Sequence, residues 1–441
     1  MQKYEQYKNS GVEWLGEIPE HWKVSKFKSF LTIHGRIGFR GYTVNDLVVK
    51  GEGAITISPS NMGDSKMIWD KVSYLSWKKY YESPEIMVEE EDLLIVKTAS
   101  IGKVAFVKNL NEKATINPQL LILKNISINK TFLYYQLISY FIQHQLNTEK
   151  IGSTIYTISE NKVLNFKAIN PPLQEQTAIA EFLGDKTAKI DQAIGIKQQQ
   201  IDLLKERRQI LIHKAVTQGI NPEVKLKNSG VEWIGEIPEH WEVKKLFGLC
   251  RFVRGNSTFS KDELLNNGQY VALQYGKTYK VNEVDKNYNF YVNDEFYKDT
   301  QIVNYGDTIF ISTSETIEDL GHSAFYNRSD LGLLGGEQLI LKPDNEKINS
   351  HYLYFSSKVF SKELRKYAKG IKVFRFNIND LKTIYTAVPP LAEQKEISEF
   401  IETVTTKIST AISLKEQETE KLKEYKSSLI DGVVTGKVRV F

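Results

Sequence analysis

A segment of fifteen residues occurs twice in this chain. Residues 8–22 read KNSGVEWLGEIPEHW, and residues 227–241 repeat them with isoleucine in place of the one leucine. A second pair of segments, PPLQEQ at 171–176 and PPLAEQ at 389–394, keeps nearly the same offset. A unit of about half the chain is therefore duplicated, and we expect a pseudo-dimer with an internal pseudo-two-fold repeat. Its target should present two comparable but non-identical half-sites.

The length and composition agree with two globular domains. A chain of 441 residues is too long for one core, and its 41% hydrophobic and 25% charged residues are typical of globular proteins. No apolar run approaches the roughly 20 residues of a membrane span, and the polar N-terminus does not resemble a secretory signal. The single cysteine, Cys250, excludes an internal disulfide framework and is expected to be a small buried hydrophobe. We therefore expect a cytoplasmic protein without membrane contact.

The two long regions between the repeated segments have a mixed α and β pattern. Short apolar runs at 92–97 and 306–311 follow acidic turns and predict buried strands, as do 119–124 and 338–342. The predicted division is a repeated segment (1–24), a first globular domain (25–168), a central helical region with the second repeated segment (169–245), a second globular domain (246–386) and a C-terminal helix (387–441).

The connecting regions are predicted to be helical. A short amphipathic helix is expected over 174–183, and a longer coiled-coil helix over about 186–217. Its matching C-terminal helix is interrupted by Lys415 where the first has Lys197, and these lysines could fix the register. Helices of about 30 residues would each be roughly 45 Å long. The seam residues of the two helices are Ile190, Ile194, Ile201, Leu204, Leu211, Ile408, Ile412, Leu422 and Leu429.

The predicted fold is therefore mixed α/β, of the α+β class. Two globular domains are separated by a pair of long antiparallel coiled-coil helices. The helices are expected to act as a spacer between the domains.

Three short segments resemble catalytic motifs, but none of them matches its motif fully. Residues 170–173 (NPPL) resemble the loop with which amino-methyltransferases hold a flipped adenine, but they lack the aromatic residue and the second copy begins with Val388. The acidic cluster of Glu239 and Glu242 is not shared by the first copy, and the segment around Gly102 lacks the remaining residues of a phosphate-binding loop. The repeated His21 and His240 are interpreted as structural residues. No catalytic or metal-binding residues are predicted.

Polar loops with residue types suited to bases and phosphates remain. A net charge of +4 is only mildly basic, but phosphate contacts depend on local charge. Gly152 and Gly370 lie at the repeat offset, with different polar residues after each. One framework with two polar faces is what reading two different sequences requires. The candidate DNA-binding residues are Arg36, Arg40, Tyr42, Ser58, Ser60, Asn61, Ser153, Thr154 and Tyr156 in the first domain, and Arg254, Asn256, Ser257, Gln274, Tyr275, Lys277, Thr278, Lys369, Lys372 and Arg375 in the second.

Taken together, the chain resembles the specificity subunit of type I restriction-modification systems. The resemblance is carried by residues 10–22 with their second copy, by the two Pro-Pro-Leu-x-Glu-Gln segments, and by 152–154 and 271–276, which resemble target-recognition-domain motifs. It covers essentially the whole chain, although 370–372 read Gly-Ile-Lys where the first copy has Gly-Ser-Thr.

The resemblance implies a non-catalytic subunit in which each target-recognition domain reads one half of a bipartite double-stranded DNA site. Two methyltransferase subunits would dock on the conserved helices, bring S-adenosylmethionine and methylate adenine at N6. Motor and nuclease subunits that use ATP and Mg²⁺ could join them, and this chain itself would hold no cofactor. The helices would space the half-site centres by about a dozen base pairs.

Two other hypotheses remain open. The chain could be a self-sufficient DNA methyltransferase or nuclease, or a coiled-coil scaffold that makes no DNA contact.

Overall fold

The repeat in the sequence is also a repeat in the fold. The computed structural model describes residues 2–63, 66–152 and 156–440. The chain forms two compact units, Met1–Lys197 with Gln417–Phe441, and Gln198–Glu416. The boundary between the units therefore falls inside each of the two long helices.

The first unit contains thirteen strands and four short helices among its described residues. The strands are β1 (Tyr7–Asn9), β2 (Glu17–Pro19), β3 (Lys23–Lys26), β4 (Thr32–Gly35), β5 (Leu47–Val48), β6 (Gly53–Ile57), β7 (Ser73–Ser76), β8 (Met87–Val88), β9 (Leu93–Val96), β10 (Val104–Phe106), β11 (Ala114–Ile116), β12 (Leu120–Lys124) and β13 (Lys167–Asn170). The helices are α1 (Trp77–Tyr81), α2 (Lys130–Ile138), α3 (Tyr140–Glu149) and α4 (Glu160–Leu164). The long helix α5 (Leu173–Gln218) follows.

The second unit has a similar order of elements, with fifteen strands among its described residues. Its strands are β14 (Leu226–Asn228), β15 (Glu236–Pro238), β16 (Glu242–Lys245), β17 (Cys250–Arg254), β18 (Tyr270–Leu273), β19 (Glu283–Val284), β20 (Tyr291–Val292), β21 (Ile302–Val303), β22 (Thr308–Ile311), β23 (Thr313–Ser314), β24 (Ser323–Tyr326), β25 (Gly332–Leu334), β26 (Gln338–Pro343), β27 (Phe374–Arg375) and β28 (Tyr385–Val388). Its helices are α6 (Tyr275–Thr278), α7 (Ser350–Leu364), α8 (Ile378–Thr383) and the long α9 (Leu391–Val434).

Each unit is built on the same two sheets. Antiparallel strands run in the order β10-β9-β12-β4 in the first unit, and β24-β22-β26-β17 in the second. The other sheet contains a parallel pair, β6 with β11 and β18 with β25. The predicted mixed fold and the predicted strands at 92–97, 119–124, 306–311 and 338–342 are confirmed.

The central strands are buried on both faces, which explains their continuous apolar runs. On β9, Leu93 and Ile95 pack in the core beneath the helices. The alternating Leu94 and Val96 pack in the core between the two sheets. Because successive side chains of a strand point to opposite faces, a strand covered on both sides requires apolar residues at every position.

The long helices differ in length from the prediction. The expected helix over 174–183 and the coiled-coil helix over about 186–217 are one continuous helix, α5, of 46 residues. The seam nevertheless packs as predicted, since Ile201 clusters with Ile408 and Ile412, with Leu204 and Leu211 against them. In the first unit, Ile190, Ile194, Leu422 and Leu429 belong to one core.

Polar pairs fix the antiparallel register of the helices in the first unit. Lys197 on α5 pairs with Glu418 on α9 at 2.7 Å. Further along, Asp191 on α5 pairs with Lys426 on α9, also at 2.7 Å. The paired residue on α9 has a higher number where the residue on α5 has a lower one. The helices therefore run antiparallel within this unit.

Within each unit, the fifteen-residue repeated segment binds the Pro-Pro-Leu-x-Glu-Gln segment. In the first unit the fully buried Trp22 donates its indole Nε1–H to Glu175 Oε2 at 2.7 Å, and His21 Nε2 lies 2.6 Å from Glu175 Oε1. The second unit repeats the contact, with Glu393 Oε2 at 3.1 Å from Trp241 Nε1 and 2.8 Å from His240 Nε2. We call these contacts the carboxylate clamps. The structural role predicted for the two histidines is confirmed.

The glutamine that follows each clamp residue fastens the long helix to its globular domain. Gln176 donates to the carbonyl of Pro171 at 2.8 Å and accepts from the backbone N–H of Asn129, the N-cap of α2, at 2.9 Å. Gln394 makes the same bonds with Pro389 and with Asn349, the N-cap of α7. Each Glu-Gln pair therefore sets the start of a long helix against a repeated segment and a helix of the globular domain.

Lys358 on α7 is a partly buried titratable residue of the second unit. Its ammonium group donates to Asn282 Oδ1 at 3.0 Å and to the carbonyl of Ser323. Burial, and then the nearby Arg208 guanidinium, lower the pKa of Lys358 from 10.5 to about 7. The folded protein therefore favours the neutral amine near neutral pH.

Removing one clamp carboxylate should destabilise the protein. In Glu175→Ala the buried Trp22 indole loses its acceptor, and an unsatisfied buried donor costs about 1–3 kcal/mol. Urea unfolding of the full chain measures this loss. Glu175→Gln, which keeps an acceptor, should lose less. The control is Glu181→Ala, an exposed residue of the same helix; equal losses in the 175 and 181 alanine variants would contradict the clamp.

Lys358 should make stability depend on pH. Between about pH 7 and pH 10.5 the unfolded chain keeps a proton that the folded lysine has lost. The free energy of unfolding should therefore rise with pH in that window, with a limiting slope of about 1.4 kcal/mol per pH unit. Below pH 7 the lysine is charged in both states and this slope disappears.

Urea unfolding at pH 7, 8 and 9 measures the slope. Lys358→Met should reduce it, whereas Lys362→Met, an exposed position of the same helix, should not. Parallel stability curves for the wild type and Lys358→Met would show that Lys358 is not responsible.

Candidate nucleic-acid interface

A β-hairpin projects its polar residues at the end of strand β22 in the second unit. Lys369 and Arg375 form its base through two backbone hydrogen bonds of 2.9 Å. Arg375 also pairs with Thr313 on β23, directly after β22. Gly370 has a φ of 122°, and a Cβ there would lie 1.9 Å from the carbonyl oxygen of Val373, so the turn requires glycine. Lys369, Lys372 and Arg375 are all exposed.

The first unit has the same backbone arrangement. Ile151 and Thr157 form two backbone hydrogen bonds of 2.9 and 2.8 Å, and Thr157 pairs with Thr98, directly after β9. Thr157 therefore occupies the place of Arg375, as the sequence offset predicted. Ser153 and Thr154 lie outside the described residues. Tyr156 is 41% exposed, and the Lys150 ammonium lies 4.7 Å from its ring centroid.

Several candidate residues of the first unit are buried and satisfied within it. Arg36 is 5% exposed, donates to the carbonyl of Ile116 and to the Thr115 hydroxyl, and has a pKa lowered by burial. Asn61 is 2% exposed and forms a capping box with Ser58. The remaining candidates make local contacts: Ser60 with Ser58, Tyr42 with Thr56, and Arg40 with Glu85.

Some candidate residues of the second unit are buried, and others are exposed. Thr278 and Ser257 are buried, and Thr278 bonds to the carbonyl of Gln274 at 3.1 Å. Tyr275 stacks on Tyr279, and burial, followed by Glu315, Asp319 and Glu337, raises the pKa of Tyr275. Lys277 lies over the ring of Phe290. Arg254 and Asn256 are exposed at and beyond the end of β17.

Sequence reasoning missed three side chains that contact the hairpins. Thr98 and Thr313 lie beside them through the strand pairs described above. Glu337 accepts a hydrogen bond from the Thr313 hydroxyl, and its Oε1 lies 3.8 Å from Arg375 Nη2. Their place in the sequence could have indicated two of them, because Thr98 and Thr313 follow the predicted strands at 92–97 and 306–311.

The described part of the chain shows no cluster of metal-ligating side chains. No group of three or more histidine, cysteine, aspartate or glutamate residues there could hold a metal ion. Cys250 is buried, and burial raises the pKa of its thiol to about 12, which fits the predicted small hydrophobe.

No helix among the described residues is both long enough and apolar enough to cross a membrane.

Comparisons with known proteins identify relatives of the whole chain. A family model described as type I restriction modification DNA specificity domain matches residues 19–206 and 238–424. The putative type I restriction enzyme MjaX specificity subunit of Methanocaldococcus jannaschii is 28% identical, over 97% of this chain and 96% of the relative. The MjaVIII specificity subunit of the same organism is 27% identical over 81% of each chain.

A solved structure has the same fold. It comes from work on complex assembly and conformational transition of the type I R-M system, and it matches with a TM-score of 0.71 at 14% identity. The match covers 96% of this chain and 99% of that one.

Proposed function

The chain belongs to the type I restriction modification DNA specificity family, and from this premise we propose that each of its two globular domains reads one half of a bipartite DNA site. The observation that carries the proposal is the pair of equivalent hairpins. Their backbone bonds are the same, but one presents Thr157 and the other Arg375. An arginine suits guanine and a hydroxyl suits several acceptors, so the two domains would read different bases.

The contact set proposed for DNA is narrower than the sequence predicted. It contains the exposed residues at the hairpins and at the neighbouring strand ends. Buried Arg36, Asn61 and Thr278 would support these loops from behind. The exposed set consists of Tyr156, Arg254, Asn256, Lys369, Lys372 and Arg375.

The chain is proposed to act within a larger complex. Two methyltransferase subunits would dock on the repeated segments and long helices, and would supply S-adenosylmethionine and the methylation of adenine. Motor and nuclease subunits with ATP and Mg²⁺ could be added to this complex. The near identity of residues 8–22 and 227–241 supports two copies of one partner, because many of these side chains are exposed and are not fixed by the core.

The paired helices are proposed to set the length of the DNA between the half-sites that neither domain reads.

A chain that recognises no DNA is the alternative that an experiment must exclude. DNA affinity that falls steeply with salt would argue against it, because phosphate contacts release counterions.

The test is sequencing of adenine methylation in cells that express this chain with its methyltransferase partner. We expect a two-part motif with a fixed gap. Exchange of residues 25–168 for the corresponding domain of another specificity subunit should change only one part of the motif. The matched exchange of residues 246–386 should change only the other part.

An active partner provides the control, shown by methylation with a different specificity subunit. If both parts of the motif changed after one exchange, the modular proposal would be wrong. If no motif appeared with an active partner, the DNA-recognition proposal would fail.

A further inference from the structure

Glu337 is an acidic side chain at the edge of an otherwise basic hairpin. Its side chain is 52% exposed, and it lies beside Arg375, with Lys369 and Lys372 on the same hairpin. A carboxylate repels DNA phosphates, so an acidic residue at this position weakens nonspecific binding. A carboxylate at a DNA-reading surface has one favourable partner on the base edges, an exocyclic amino group.

The backbone of Glu337 is held in an unfavourable conformation. Its φ is 61°, in the left-handed region that glycine adopts freely and glutamate rarely does. Residues held in such conformations are concentrated at functional sites.

The surrounding chain fixes this conformation from both sides. Gly335, two residues before Glu337, donates its backbone N–H to the carbonyl of Leu273 at 2.9 Å. Gln338, directly after it, is fully buried and donates its side-chain amide to the same carbonyl at 2.5 Å. The Ser312 hydroxyl donates to the carbonyl of Glu337 itself at 3.0 Å. The backbone that carries the carboxylate is therefore fixed before any ligand binds.

The carboxylate also has acceptor capacity left. One oxygen accepts from Thr313, and Oε1 is 3.8 Å from Arg375, beyond hydrogen-bond distance. An ionised carboxylate has about four lone-pair sites. A base edge next to Arg375 could therefore be bound by Glu337 without breaking the contact with Thr313.

We propose that Glu337 is a specificity-determining residue of the second recognition domain and accepts a hydrogen bond from the amino group of a base, that of cytosine by the usual pairing. Arg375, on the adjacent strand, would contact a neighbouring base or phosphate. This inference rests on the proposed function, since it requires that the second domain reads DNA.

The test is Glu337→Gln in the full chain, with methylation sequencing in the presence of the methyltransferase partner. Glutamine still accepts from Thr313, so the local structure is kept, but its amide pairs with adenine better than with cytosine. At one position of the half-site read by the second domain, preference for cytosine should fall about ten-fold and shift towards adenine. The other half-site should not change.

A second variant distinguishes contact with a base from a role of the side chain in holding the loop. Glu337→Gly removes the carboxylate and keeps a residue that adopts this backbone conformation freely, so discrimination at that position should be lost while the loop is retained. Glu346→Gln, an exposed position on the turn before α7, is the matched control and should leave the motif unchanged.

Two outcomes would overturn the proposal. They are an unchanged motif in Glu337→Gln and an equal loss at all positions of the motif. A wild-type chain that gives no bipartite motif is a different result, because it contradicts the proposed function itself.

Discussion

The carboxylate clamp is the interaction on which each half of the protein depends. One glutamate in the first turn of a long helix accepts from a fully buried tryptophan and contacts the preceding histidine, at Glu175 and again at Glu393. A negative charge is favoured at a helix N-terminus, and a buried indole N–H requires an acceptor. The same group therefore satisfies two demands at once. This explains why the tryptophan, the histidine and the glutamate of the clamp are identical in the two copies.

Much of the fold could be predicted because its signals are local and occur twice. The strands at 92–97 and 306–311 are buried on both faces, so their apolar runs are unbroken. The length of α5 could not be predicted in this way. The prediction placed two helices, over 174–183 and about 186–217, with Gly184 between them, and glycine costs roughly 1 kcal/mol in a helix interior. The structure continues through it because Leu183 and Ile190 pack into one core, and that packing outweighs the local preference.

The candidate interface was predicted less completely, for a physical reason. Arginine, asparagine and threonine suit DNA, but the same side chains also satisfy buried carbonyls and close turns. Arg36 bonds to the carbonyl of Ile116, and Asn61 closes a capping box with Ser58. Residue type cannot separate the two uses, because burial is decided by the tertiary fold. Glu337 was missed for the opposite reason, since a carboxylate was not expected beside basic residues.

The hairpins show how exposed side chains can vary on a constant backbone. Their bases are held by backbone hydrogen bonds, between Ile151 and Thr157 in one unit and between Lys369 and Arg375 in the other. Backbone bonds do not depend on the side chain, so a threonine can be replaced by an arginine without loss of the anchor. The clamps have no such freedom, because their bonds are made by side chains. The side chains of the clamps are therefore the same in both copies, whereas the exposed residues at the bases of the hairpins differ.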